Sequence, residues 1–184
     1  PLDEIQEIFT AAYSDLKNSK KSSFEHEKCI RDIAVLELLF ATGMRVSELC
    51  SLKTEDVNLS DHYIIINGKG SKERVVHIGN KSVITALRMY KSAFCGKIPE
   101  SGCFFINRLN NRLSEQSVRT MIVKYTEKAD ISRHITPHMF RHSFATLLLE
   151  EDVDIRYIQQ VLGHSSIVTT QIYTHVTSKK QKHI

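Results

Sequence analysis

Apolar positions recur at helical spacing along most of this chain and change to strand-like runs in one region. Leu2, Ile5, Ile8, Phe9, Ala12 and Leu16 mark one face of a helix over residues 1–17, with Asp3 as its expected cap. "NSKKSS", 18–23, is a polar loop. From Glu25 to about Ala41 a second helix carries Ile30, Ile33, Ala34, Leu36, Leu38 and Leu39. It is apolar almost all round, which places it at the centre of the core, and Gly43 ends it. A short helix is predicted through "RVSELCSL". "HYIIIN" (62–67) and "ERVVHI" (73–78) are β-branched runs joined by "GKGSK", a hairpin signal in which glycines supply the turn. Helix resumes over about 81–94, "CFFIN" reads as a short strand, and further helices are expected at about 114–129, 137–150 and 155–162. Thr136 and Pro137 suit the cap and first position of the helix at 137, and Gly163 suits the end of the one at 155. Ser165 or Ser166 caps a final short helix through Tyr173. The fold class is mainly α with a small antiparallel β-hairpin or sheet, and nothing suggests alternating βαβ units.

Composition narrows the picture only a little. The 184 residues suit one domain or a small two-lobed unit with a real core. A net charge of +4 permits a polyanionic partner without demanding one. The four cysteines, Cys29, Cys50, Cys95 and Cys103, form no C-x-x-C pair or zinc-ligand spacing, so they are expected to be small reduced core residues. No apolar run reaches the length of a membrane span and no signal-peptide pattern opens the chain, so a cytoplasmic setting is the default expectation. A chain opening at Pro1 and not at Met is expected to be part of something longer.

Four stretches carry polar residues that a bland fold does not need. "TGMRVSEL" sets Glu48 one helical turn beyond Arg45, within pairing distance. "GKGSKER" puts Lys69 on a glycine-flanked turn. "HMFRH" puts His138 and Arg141 on one helical face, with His142 beside them. "LGHSSIVTTQIYTH" puts His164 at a helix-to-helix turn and Tyr173 beyond it. Taken singly, each has an ordinary reading: a solvated charge for Arg45 and Lys69, a helix-end cap for His164, a half-buried aromatic for Tyr173. Arg141 is the hardest to explain so, because its helix face leans on the core. A metal site at His138 and His142, extended by His134, is disfavoured: Pro137 breaks the spacing and no H-E-x-x-H glutamate is present. Taken together, two arginines, a lysine, two histidines and a tyrosine are what a side chain needs to attack a phosphodiester without metal. Guanidinium groups neutralise charge on the non-bridging oxygens, histidine assists proton transfer, and lysine protonates the departing oxygen.

In this order the motifs resemble the catalytic domain of the tyrosine recombinases, also called phage integrases, including the Xer type. The resemblance runs over nearly the whole chain, through "TGMRVSEL", "GKGSKERVV", "HMFRHSFAT" and "VLGHSSIVTTQIYTHV". It implies that Arg45 and Arg141 are paired phosphate-binding arginines and that Lys69 is the hairpin lysine that protonates the leaving 5′ oxygen. His138 would assist proton transfer at the nucleophile, His164 would hydrogen-bond a phosphate oxygen, and Tyr173 would be the nucleophile. Glu48 would position Arg45, and His142 would buttress the site from behind. The implied activity is site-specific recombination of double-stranded DNA through a 3′-phosphotyrosine, with no metal, nucleotide or other cofactor, by a homo-oligomer, expected to be a tetramer, on the DNA. The 184 residues would form one catalytic domain, without the N-terminal helical DNA-binding domain that the family normally carries. A type IB topoisomerase-like activity, a non-catalytic DNA-binding regulator and a metal-dependent nuclease are the alternatives from other classes.

Overall fold

The computed structural model describes residues 2–68, 73–98 and 102–163. In chain order the elements are helices α1 (Leu2–Asn18), α2 (Phe24–Thr42) and α3 (Val46–Ser51), a 3-10 turn (Thr54–Asp56), strands β1 (Val57–Asn58), β2 (Tyr63–Asn67) and β3 (Glu73–His77), and helices α4 (Lys81–Ala93), α5 (Glu115–Lys128), α6 (Pro137–Glu150) and α7 (Ile155–Leu162). The most extensively buried helix is the one at the centre: α1, α4 and α6 all lie against α2. Ser23 caps α2 by accepting the His26 N–H, and Gly43 closes it in the left-handed conformation, φ 57°, with its N–H on Leu39 O. Two carboxylates are buried on this helix as well, and each is paired. Asp32 accepts from Arg31 Nη2 at 2.8 Å and from the Tyr125 hydroxyl of α5 at 3.3 Å. Glu37 accepts from the Tyr13 hydroxyl of α1 at 2.7 Å and from Ser82 Oγ of α4 at 3.2 Å. Polar ties therefore join α2 to α1 and α4, which also pack on it, and to α5.

The sheet is antiparallel in the order β1-β2-β3, with Ile64 opposite Val76 and Ile66 opposite Arg74. Ile64, Ile66 and Val76 face the core, whereas Val75 points outward and is exposed. Strand β1 was not foreseen, since a two-residue strand is shorter than any periodicity can reveal. Three expectations are corrected. "CFFIN" is not a strand: Cys103 and Ile106 each make only an isolated bridge, to Lys53 and Arg112. Phe104 and Phe105 are both buried against Tyr90, and the Tyr90 hydroxyl donates to Phe104 O and accepts from the Ile106 N–H, satisfying backbone that a ladder would otherwise pair. Asp3 lies inside the first turn of α1, where its charge suits the positive helix end, and does not cap it. Cys95 is exposed and Cys103 half-buried, so only Cys29 and Cys50 fit the core reading, and none of the four is in a disulfide.

A second, smaller apolar cluster seats α7 on α6: Ala145, Ile158 and Leu162 are buried, flanked by Phe144, Leu148, Leu149 and Val153. Among the described residues no helix is long and apolar enough to cross a membrane.

Candidate active site

The polar residues of three separate segments meet at the last turn of α7, and each arrives for a local reason. The extended Arg45 (φ −71°, ψ 149°) follows the end of α2 and is the N-cap of α3. Glu48, one turn into α3, reaches back to it: Oε2 accepts the Arg45 backbone N–H at 2.8 Å and Oε1 accepts Nη1 at 3.0 Å. Sheet alternation places Arg74 on the same face of β3 as buried Val76. From there its guanidinium straddles the Glu48 carboxylate, Nη1 to Oε1 at 3.1 Å and Nη2 to Oε2 at 2.7 Å, while Nε donates to Val161 O at 2.7 Å. Thr136 precedes α6 and Pro137 opens it as expected, although the Thr136 side chain makes no capping hydrogen bond, and the second turn carries Arg141 into the interior, 3% exposed. Arg141 Nη1 donates to Gly43 O at 2.6 Å and Nη2 to Leu162 O at 2.8 Å.

Three arginines thus reach three successive carbonyls: Arg74 on Val161, Arg141 on Leu162, and Arg45 Nη2 on Gly163 at 3.5 Å. The last carbonyls of a helix lack intrahelical partners and carry its partial negative charge, so cationic donors are well matched to them. Gly163 is left-handed, φ 65°, and a Cβ there would meet Arg74 Nη1 at 3.0 Å; the tight approach and the backbone turn both call for glycine. Burial alone would raise the Glu48 carboxyl. The hydrogen bonds from Arg74 and from the Arg45 backbone, with both guanidinium charges, outweigh it and hold the group below its usual range. Arg45 is the member that faces solvent, with 45% of its side chain exposed against 10% for Arg74 and 6% for Glu48.

His138 is exposed one turn before Arg141 on α6. His142 is half-buried, and burial, then the neighbouring His138, pushes its imidazole down from the ordinary histidine value. Of the residues expected from the sequence, Arg45, Glu48 and Arg141 are brought to one helix end, and His138 and His142 lie on the helix that supplies Arg141. Lys69, His164 and Tyr173, and the helix expected to end at Tyr173, lie outside the described residues. Arg74 escaped the sequence reading. Its signal was there in the alternation of "ERVVHI", which puts an arginine in line with Val76 and Ile78 and so requires a buried acceptor.

The phage integrase family pattern matches residues 2–180. A tyrosine recombinase of Agathobacter rectalis is 53% identical over 184 residues, covering 100% of this chain and 60% of that protein. Tyrosine recombinase XerC of Bacillus pumilus is 42% identical over 180 residues, covering 95% of this chain and 56% of that protein. Among solved structures, XerA recombinase superposes with a TM-score of 0.80 at 33% identity, covering 98% of this chain and 63% of that one. The XerH site-specific recombinase, bound to palindromic difH substrate in a post-cleavage complex, gives a TM-score of 0.81 at 26% identity, covering 98% of this chain and 50% of that one. The chain spans less than two thirds of the length of each of these proteins. With the family pattern running from α1 almost to the C-terminus, and with identities of this size, the chain belongs to the phage integrase family, the tyrosine recombinases.

Proposed function

We propose that this chain performs the strand-breaking and strand-joining chemistry of site-specific DNA recombination. The observation that carries the reading is the convergence of Arg45 and Arg141, distant in sequence, onto adjacent carbonyls at one helix end, with Arg45 half-exposed above a paired Glu48. Two like charges held together in this way suit an anion that both can grip, and a scissile phosphate is such an anion. His138 is exposed one turn before Arg141 on the same helix, and in this reading it works on the same group. In this reading the Tyr173 hydroxyl attacks phosphorus and gives its proton to His138. The bond to the 5′ oxygen breaks, that oxygen takes a proton from Lys69, and a 3′-phosphotyrosine remains. Arg45, Arg141 and His164 hold the charge on the non-bridging oxygens. A 5′ hydroxyl from a partner strand then attacks the phosphotyrosine and releases Tyr173. Because the ester stores the energy of the broken bond, neither ATP nor a metal ion is required. The partner is double-stranded DNA, and exchange between two duplexes involves four strands, which suits a tetramer with one tyrosine per strand.

The test uses a pool of short duplexes of randomised sequence, each nicked so that the cut 5′ fragment is lost and the covalent product is trapped. Wild type is expected to give a protein–DNA adduct that survives denaturation, and Tyr173→Phe to give none while still binding DNA. Absence of any wild-type adduct, or an adduct that persists in Tyr173→Phe, overturns the proposed chemistry.

A further inference from the structure

We infer that Arg74 is a positioning residue for the Arg45 guanidinium, acting through the Glu48 carboxylate that the two arginines share; the inference rests on Arg45 being a phosphate-binding arginine. Each Glu48 oxygen accepts twice, once from each residue: Oε1 from Arg45 Nη1 and Arg74 Nη1, Oε2 from the Arg45 backbone N–H and Arg74 Nη2. Four bonds on two oxygens leave the carboxylate no rotational freedom, so the direction in which Nη1 of Arg45 is held is fixed from the Arg74 side. Charge leads to the same place. Arg45, Glu48 and Arg74 together carry +1, and Arg74 is largely buried, so the surplus sits on the exposed Arg45. Without Arg74 the carboxylate would face Arg45 alone, the pair would be neutral, and Arg45 would be less able to hold an anion. The third contact, Nε to Val161 O, ties β3 to the end of α7. Lysine cannot reproduce this, because one ammonium cannot span two carboxylate oxygens and a carbonyl at once.

The experiment compares wild type, Arg74→Gln, Arg74→Lys and Arg45→Ala on the duplex enriched in the wild-type adduct, well below the melting temperature of each protein. Arg74→Gln is expected to slow adduct formation by about 10- to 100-fold, the scale of a misplaced catalytic group, with DNA affinity lowered no more than in Arg45→Ala. Arg74→Lys is expected to fall between it and wild type. The decisive comparison replaces the scissile phosphate by a neutral methylphosphonate, which removes the charge that Arg45 is there to hold. The ratio of wild-type to variant rate should shrink towards one for Arg74→Gln, as for Arg45→Ala. If Arg74→Gln matches wild type, or is slowed equally on both substrates, Arg74 is only a structural tie and the inference is wrong. If Arg74→Gln has no cooperative unfolding transition, Arg74→Lys decides by the same ratio. Failure of wild type itself to form an adduct would instead sink the parent reading.

Discussion

At the scale of single residues, the guanidinium of Arg141 joins Gly43 O, at the end of α2, to Leu162 O, at the end of α7. It therefore holds two helix ends together as well as standing beside the proposed phosphate site. Arg141→Ala leaves both carbonyls without these donors in the interior, at about 1–3 kcal/mol each. The variant is expected to lose about 2–6 kcal/mol of stability in urea denaturation, in addition to any loss of cleavage. Arg141→Lys should recover part of the stability by serving one carbonyl. An unchanged urea midpoint for Arg141→Ala would show that the two bonds carry little weight. This dual role was only half legible. That Arg141 would be buried followed from its helix face, but its partners are backbone carbonyls, which every residue has and no side-chain pattern announces. The Arg45–Glu48 pair, by contrast, was readable because one helical turn separates them. Arg74 reaches Glu48 across the fold, and only the alternation along β3 hinted at it.

At the scale of elements, the site depends on how α7 is seated. Gly43 is a left-handed residue, and a Cβ there would lie 2.5 Å from Phe144 Cδ1 and 2.8 Å from Leu162 Cδ2. Gly43→Ala combines backbone strain of about 1–2 kcal/mol with overpacking of about 1–3 kcal/mol. The relief available is for Phe144 and Leu162 to move, which unseats α7 and the carbonyls that the three arginines grip. Hydrogen exchange should therefore quicken in the amides of α7 well before those in the middle of α2 or α4. Equal protection of α7 in the variant and wild type would show that the contact is absorbed elsewhere. The helices themselves were legible from apolar spacing and from end signals such as Gly43, Pro137 and Gly163, whereas the Ser23 cap of α2 was read as part of a polar loop. Strand β1 and the loop of Phe104 and Phe105 were not. Strand β1 pairs with β2 over two residues only, too few for a period, while the loop's backbone is satisfied by tertiary partners, Tyr90 above all, and its two adjacent buried aromatics imitate a strand.

At the scale of the whole molecule, charge sets how the chain should meet DNA. The net charge is only +4, and the ion pairs Arg31–Asp32, Arg74–Glu48 and Lys128–Asp15 engage some of the cations with the protein's own carboxylates. The chain also spans only 60% of the Agathobacter rectalis relative and 56% of XerC. Binding to a generic duplex should therefore be weak and dominated by phosphate contacts, which release counterions. A footprint of three to six neutralised phosphates gives a slope of about −3 to −5 for the logarithm of the association constant against that of salt concentration. Fluorescence anisotropy across a salt series measures it directly. Arg45→Ala should make the slope shallower by about one unit, as expected for one lost phosphate contact, because Arg45 is the exposed cation of its network. A slope near zero, with tight binding that persists at high salt, would show that base contacts or buried apolar surface dominate. A normal slope left unchanged by Arg45→Ala would move the phosphate contact off Arg45, and with it the centre of the proposed site.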